Sequence, residues 1–341
     1  MRKGRVCVAV TGIFVLLGFL AMGASAQAQN KVIKLRYSAH SQIAHHNGQR
    51  ADEWCREIEK RTSGRVKITF FPGGSLVPAT QTYDSVVKGV IDIGQTVLAW
   101  TPGRMPLSEV LDLPIGYKNG LQASRLADAY FRKFNPKELA GAKVLYLHAH
   151  GPGVYHTKAP VKVLDDLKAM RLKCTGTQTQ FVQAIGAVPV SMPTGDMYDA
   201  LQKGLLDGTA LTMESLSSLK VSDHCKYTYQ NDGTSFTTAF FVVMNKDRWN
   251  SLPQDIQKIF EEVSKEWVDK SGNSWVSADN EAQRVARAQG HRFVVASKED
   301  MANAKKKMKP ILNDYVKRMK AKGLPGKEAL EFCLNYITTN P

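Results

Sequence analysis

LDDLKAMRLKCTGTQTQFVQAIGAVPVSMPTGDMYDALQKGLLDG, residues 164–208, sets strands and helices in strict alternation. Arg171–Cys174 is a short strand, and the turn Thr175-Gly176-Thr177 leads into a helix over about 178–185. Gly186 ends that helix, since glycine takes the left-handed conformation past a helix end without a Cβ penalty. A second strand, Ala187–Met192, is closed by Pro193, and a helix over about 196–203 stops at Gly204 before Leu205-Leu206-Asp207-Gly208. Short strands separated by crossover helices pair in parallel, so the predicted fold class is α/β.

Part of this stretch occurs twice. Tyr83–Asp92 reads YDSVVKGVID and Tyr198–Asp207 reads YDALQKGLLD, with Tyr, Asp, Lys, Gly and Asp at identical offsets. Any amphipathic helix ending in Lys-Gly before a strand has some of this look. Yet each copy also follows a strand ending in proline (Val66–Pro72 and Val188–Pro193), itself preceded by a helix, about 51–61 and 178–185. The shared order of elements predicts two similar α/β lobes.

The first 28 residues read as a secretory signal peptide: Arg2, Lys3 and Arg5, an apolar Val8–Met22, then small residues around Ala24–Ala28. The apolar run is short for a membrane anchor. The chain carries +15, of which the leader holds three cations and no acid, leaving about +12. Much of this lies in Lys305–Lys309 and Lys317–Lys320, which read as solvated helix faces. An exported protein meets little nucleic acid, so none is expected as a partner and attraction of anions is the plainer use of the charge. Cys55, Cys174, Cys225 and Cys333 remain after the leader, without C-x-x-C spacing. Pairing of Cys174 with Cys225 and two buried free thiols are both open.

The remaining pattern describes a hinged clamshell. Lys143–His150 is an apolar strand running into Gly151-Pro152-Gly153, a natural connection between lobes, and Phe236–Asn245 supplies a second crossing. Pro253–Gln289 reads as one helix of about 55 Å, capped by Ser251 and bent at Ser271–Ser274, long enough to back both lobes. The expected partition is residues 29–150 with about 237–276 in lobe I, and 151–236 with about 277–341 in lobe II.

No catalytic spacing is present: no G-x-S-x-G, H-E-x-x-H, P-loop or dinucleotide fingerprint. The loop Ala39–His46 holds His40, His45 and His46 but no carboxylate or cysteine at ligand spacing, so no metal is expected, and His45 stands as a ligand-binding candidate at a strand end. His148 and His150 share a strand face and read as a polar strand end at the hinge. Trp100 and Thr101, beside a Pro-Gly turn, are further candidates.

The runs EIEKRTSGRVKITFFPGGSL, KGVIDIG, LDDLKAMRLKCTG, PVSMPTGDMYDALQKGLLDG and VVMNKDRWNSLPQDIQKIFEE together resemble the solute-binding proteins of TRAP (tripartite ATP-independent periplasmic) transporters, of the dicarboxylate-receptor (DctP) type. The resemblance covers nearly all of the chain after the leader. It implies a two-lobed clamshell with two hinge strands and a long spanning helix. It also implies a monomeric periplasmic receptor, not an enzyme and without cofactor, that passes a small organic anion to small and large membrane subunits. A sensory or scaffold protein of this fold, or an exported enzyme, is the alternative.

In the family an arginine clamps the solute carboxylate. LKAMRLKCTG puts Lys173 at that position, with Arg171 on the same strand face as an alternative clamp. Where some members carry a second arginine this chain has Gly153, with Tyr155 nearby. Where many carry asparagine it has Leu211 and Thr212–Glu214, with Met213 a candidate. The loss of polar groups favours a monoanion with an apolar or aromatic body, lying on Trp100, Tyr155 or Phe236; a keto acid or sulfonate also needs only one cation.

Overall fold

The structure is a computed structural model that describes residues 32–192 and 194–340; the signal-peptide reading of 1–28, and Pro193, lie outside the described residues. The chain begins with β1 (Ile33–Ala39), α1 (His46–Arg61), β2 (Val66–Phe71), α2 (Thr82–Val87), β3 (Ile93–Val97), α3 (Gly120–Phe134) and β4 (Lys143–Ala149). It continues with β5 (Gly153–Thr157), β6 (Arg171–Cys174), α4 (Gln178–Ala184), β7 (Val188–Ser191), α5 (Met197–Gln202), β8 (Gly208–Thr212), α6 (Ser215–Ser218), α7 (Val221–His224) and β9 (Tyr227–Gln230). Then come β10 (Ala239–Met244), α8 (Lys246–Asn250), α9 (Gln254–Ala288), β11 (Arg292–Val295), α10 (Lys298–Ala321) and α11 (Gly326–Thr339).

Two sheets result, ordered β2-β1-β3-β10-β4 and β11-β9-β5-β8-β6-β7. In the first, β2, β1 and β3 are parallel and β10 runs antiparallel to its neighbours; in the second, β7, β6 and β8 are parallel and β5 runs antiparallel to its neighbours. The sheets therefore share one design, and the second adds β11 beside β9.

The sequence repeat corresponds to a repeated tie. Asp92, at the end of the first copy, accepts a hydrogen bond from the Arg36 backbone N–H in β1 at 2.7 Å, while the Arg36 side chain reaches the Val90 carbonyl at 2.7 Å. Asp207, at the end of the second, accepts from the Arg171 backbone N–H in β6 at 2.8 Å, while the Arg171 side chain reaches the Gly204 carbonyl at 2.8 Å. Gly89 and Gly204, which end the two helical turns, have φ of 71° and 72°, so the Lys-Gly step is a left-handed stop in both lobes.

Both lobes are completed by chain from the other side. β4 leaves the first sheet through His150–Pro152 into β5, and the segment 231–238 returns from β9 to β10. The expected strand over 236–245 is thus shorter: Phe236–Thr238 belong to the crossing. α9 spans both lobes at about 52 Å. Ile256, Phe260, Val263 and Trp267 enter the core of lobe I, and Ala282 and Ala286 that of lobe II.

Three details differ from the sequence reading. Ser251 ends α8 instead of capping α9, whose cap position is Pro253. Residues 271–274 continue the helix without a break, and Gly272 is there for packing: a Cβ on it would lie 2.8 Å from Leu121 Cα and 3.1 Å from the Gly120 carbonyl oxygen of α3. The C-terminal helices are shared between lobes. Ala304 and Met308 of α10 pack in lobe II, whereas Tyr315, Met319 and, from α11, Ala329 and Cys333 pack with Tyr117 and Tyr130 of lobe I, on the far side from the expected placement of 277–341. All four described cysteines are buried and free.

Gly272→Ala tests the helix contact with a sign reversal. In an exposed helix the change would stabilise by about 1 kcal/mol. Here it is expected to destabilise by roughly 1–3 kcal/mol through overpacking against α3, read from the urea unfolding midpoint.

The candidate solute-binding cleft

The C-terminal ends of the parallel strands of both sheets face one another, and a cavity of about 180 Å³ lies between them, room for a single-ring solute. Lobe I contributes His40, Val97, Ala99, Trp100 and Phe240; lobe II contributes Lys173, Thr175, Gln178, Thr194, Leu211, Thr212, Glu214 and Leu219. The crossing segments add His150, Phe236 and Thr238, and α9 adds Trp275. The lobes touch at Gly176, where a Cβ would sit 2.4 Å from the Ala99 carbonyl oxygen. Gly176 also has φ of 54° in the turn from β6 to α4.

Lys173 is the electrostatic centre. It lies on β6 between β7 and β8, is 1% exposed, and its Nζ donates to Thr194 Oγ1 at 3.2 Å. Among the described residues no carboxylate pairs with it. Burial lowers its pKa to about 8, so it is charged at neutral pH. Burial also lowers His40 to about 3 and His150 to about 4, with the charge of His45 adding to the effect on His40. Both are therefore neutral, and Lys173 is the one cation among the described lining residues at pH 7.

Opposite it stands an aromatic wall. Phe240 stacks on His148 at 4.7 Å and on His40 at 5.6 Å, Trp100 meets His40 edge-on at 4.4 Å, and Trp275 lies 5.7 Å from Phe240. Phe236 reaches the cavity because residue 153 is glycine: a Cβ there would be 2.2 Å from Phe236 Cζ. The ring occupies the space a side chain at 153 would need.

Glu214 is buried on the lining. Burial alone would raise its carboxyl, but His45, with Ser218 and His46, holds it below the ordinary range. Its Oε1 accepts from the Thr212 hydroxyl at 3.0 Å, and its backbone N–H donates to Asp279 at 2.9 Å. Asp279 is pushed up to about 7 by burial.

The candidate residues thus divide. Lys173, Trp100 and Phe236 line the cavity. Tyr155 is 1% exposed and packs in the lobe II core beside Phe236, and Met213 packs in the neighbouring core of that lobe. Thr101 sits in the turn after Trp100 and does not line the cavity. His45 caps α1, accepting from the Asn47 N–H at 3.1 Å, and faces Glu214 instead of the cavity. Arg171 is held by Asp207 at 2.8 Å and Gly204, in the tie that Arg36 makes in lobe I, so its guanidinium is already occupied. His40, His150, Phe240 and Trp275 are among the lining residues that sequence reasoning did not put forward as ligand-binding. For Trp275 the helix period gave no hint of which turn of α9 passes the cleft.

The family pattern of the bacterial extracellular solute-binding proteins, family 7 (DctP), matches residues 38–318. The chain belongs to this family, the non-enzymatic solute receptors of TRAP transporters. Among solved structures it is similar to a TRAP periplasmic solute-binding protein from Desulfovibrio salexigens in an open complex, with TM-score 0.85, 31% identity, and 91% of this chain and 97% of that one covered. It is also similar to a TRAP solute-binding protein from Rhodoferax ferrireducens in complex with copurified benzoate: TM-score 0.82, 28% identity, 90% and 98% covered. The monocarboxylate 2-oxoacid-binding periplasmic protein all3028 of a Nostoc species is 26% identical over 75% of this chain and 72% of its own length.

Two outcomes are expected. Affinity for an acid anion holds below the Lys173 pKa and falls as pH rises through about 8, where the ammonium loses its proton. Titration calorimetry should show a decline of about tenfold per pH unit beyond it, absent in Lys173→Met. Gly176→Val, which cannot approach Ala99 and is strained at a φ of 54°, should weaken binding and also lower the unfolding midpoint, by more than about 1 kcal/mol.

Proposed function

We propose that this protein is the extracytoplasmic receptor of a TRAP transporter for a small organic acid monoanion with an apolar or aromatic body, and that it delivers this solute to the membrane permease. The observation that carries the reading is the buried Lys173 ammonium without a carboxylate partner, facing Phe240, Phe236, Trp100 and Trp275. One point charge balances one carboxylate or sulfonate, while the flat wall receives a ring or short apolar body. Lys173 is the anion anchor in this reading, and Arg171 is a structural tie. Benzoate in the Rhodoferax relative and 2-oxoacids named for the Nostoc relative are both acids of this size, which supports an aromatic acid first and a keto acid second. Export through the leader at 1–28 and transfer to small and large membrane subunits complete the proposal.

The test is a thermal-shift screen of ligand-stripped protein against benzoate and other single-ring acids, 2-oxoacids, sulfonates, C4-dicarboxylates and sugar diacids. A solute that binds only the folded state raises the melting temperature with its concentration. Aromatic monocarboxylates should give the largest shifts, lost in Lys173→Met. A preference for sugar diacids, or full shifts in the Lys173→Met protein, would overturn the assignment.

A further inference from the structure

The loop before α1 carries paired histidines whose missing partner arrives from the other lobe. The ligand-capable atoms of His45, His46 and Glu214 all lie within 4.8 Å of one another. His45 and His46 open α1 in lobe I, and Glu214 follows β8 in lobe II, so the cluster bridges the two lobes.

Two of the three donors, on His46 and Glu214, are free for a cation. His46 Nδ1 lies 3.0 Å from Ser274 Oγ, and Nε2 is buried and has no partner among the described residues; with the proton on Nδ1 donated to Ser274, the lone pair falls on Nε2. Glu214 Oε1 is held by Thr212, and Oε2 is buried without a hydrogen-bond partner, 3.5 Å from His45 Nε2. Zinc bonds to imidazole nitrogen and carboxylate oxygen are near 2 Å, so tetrahedral donors stand about 3.3 Å apart. The His45–Glu214 pair is close to that spacing, and the third donor needs about an ångström of inward movement. His45 ligates through Nε2 by shifting its proton to Nδ1, which trades the Asn47 cap for a metal bond.

We propose that His45, His46 and Glu214 form a site for a divalent transition ion of the zinc class, placed across the two lobes beside the solute cavity. Two nitrogens and one carboxylate select such ions over calcium or magnesium, which prefer all-oxygen shells. A bound ion ties α1 to the end of β8 and so favours the closed arrangement. No carboxylate stands at ligand spacing beside the histidines along the chain; the fold supplies it.

The experiment is zinc titration of chelator-stripped protein prepared without a polyhistidine tag, by calorimetry, beside His46→Ala and Glu214→Gln. Circular dichroism in chelator confirms that each variant is folded. One zinc per chain, weakened by roughly tenfold or more in both variants, is expected. Cobalt added to the unaltered protein should give visible absorption of tetrahedral intensity, a readout that does not depend on any variant folding. No zinc uptake, an affinity in either variant equal to that of the unaltered protein, or only the faint spectrum of hydrated cobalt would overturn the site. None of these outcomes bears on acid binding at Lys173, which is read without metal.

Discussion

An ammonium group buried without a counter-ion is the constraint on which the rest of the binding architecture depends. Removing an ion from water costs several kcal/mol even after relaxation, and a partner charge normally offsets it. Lys173 has the Thr194 hydroxyl and otherwise the cavity. Burial lowers its pKa to about 8, so the site holds its charge at neutral pH and loses it as the pH rises through that value. In the proposed reading a bound carboxylate supplies the missing partner, and solute binding is then the completion of a half-made ion pair.

Holding such a group requires a rigid support, which the repeat provides. β6 is an inner strand, flanked by β7 and β8, and its start is fixed by Asp207 binding both the backbone and the side chain of Arg171. The same device fixes β1 through Asp92 and Arg36. Each lobe can therefore move as a unit, with strain taken up in the crossings. There the chain is strongly constrained in number of paths: two strand connections, α9, and α10. Pro310, which cannot donate the interior helix bond, lies between Met308 in one lobe's core and Tyr315 in the other's.

The fold was legible because its signals are local and repeated. Lys-Gly stops and the Tyr-Asp-x-x-x-Lys-Gly pattern appear twice, and each maps to the same place relative to its sheet. Of the cavity lining, the sequence pointed to Lys173 because one strand carries it. Arg171 shares its strand face, and only the Asp207 tie, formed across 36 residues, separates anchor from scaffold. Trp275 and Glu214 enter the cleft region through long-range packing, which no local spacing encodes. Gly272 shows the same limit: a glycine inside a helix reads as a bend, whereas its role is the approach of α3.

Selectivity follows from what replaced the missing polar groups. A guanidinium clamp fixes the plane of a carboxylate by two parallel bonds, so it orients the solute by itself. A lysine fixes a distance and leaves the angle free. Orientation must then come from shape, and the space over Gly153 that a larger residue would fill is taken by the Phe236 ring. Phe240, held flat against His148 at 4.7 Å, presents a second surface that cannot turn without disturbing the strand core. In the proposed reading, a solute with a flat apolar body gains contact with both walls while its single charge meets Lys173. A second carboxylate would find no further cation among the described lining residues, and the buried Glu214 would oppose it. The same substitutions that loosen the polar grip therefore narrow the choice of solute.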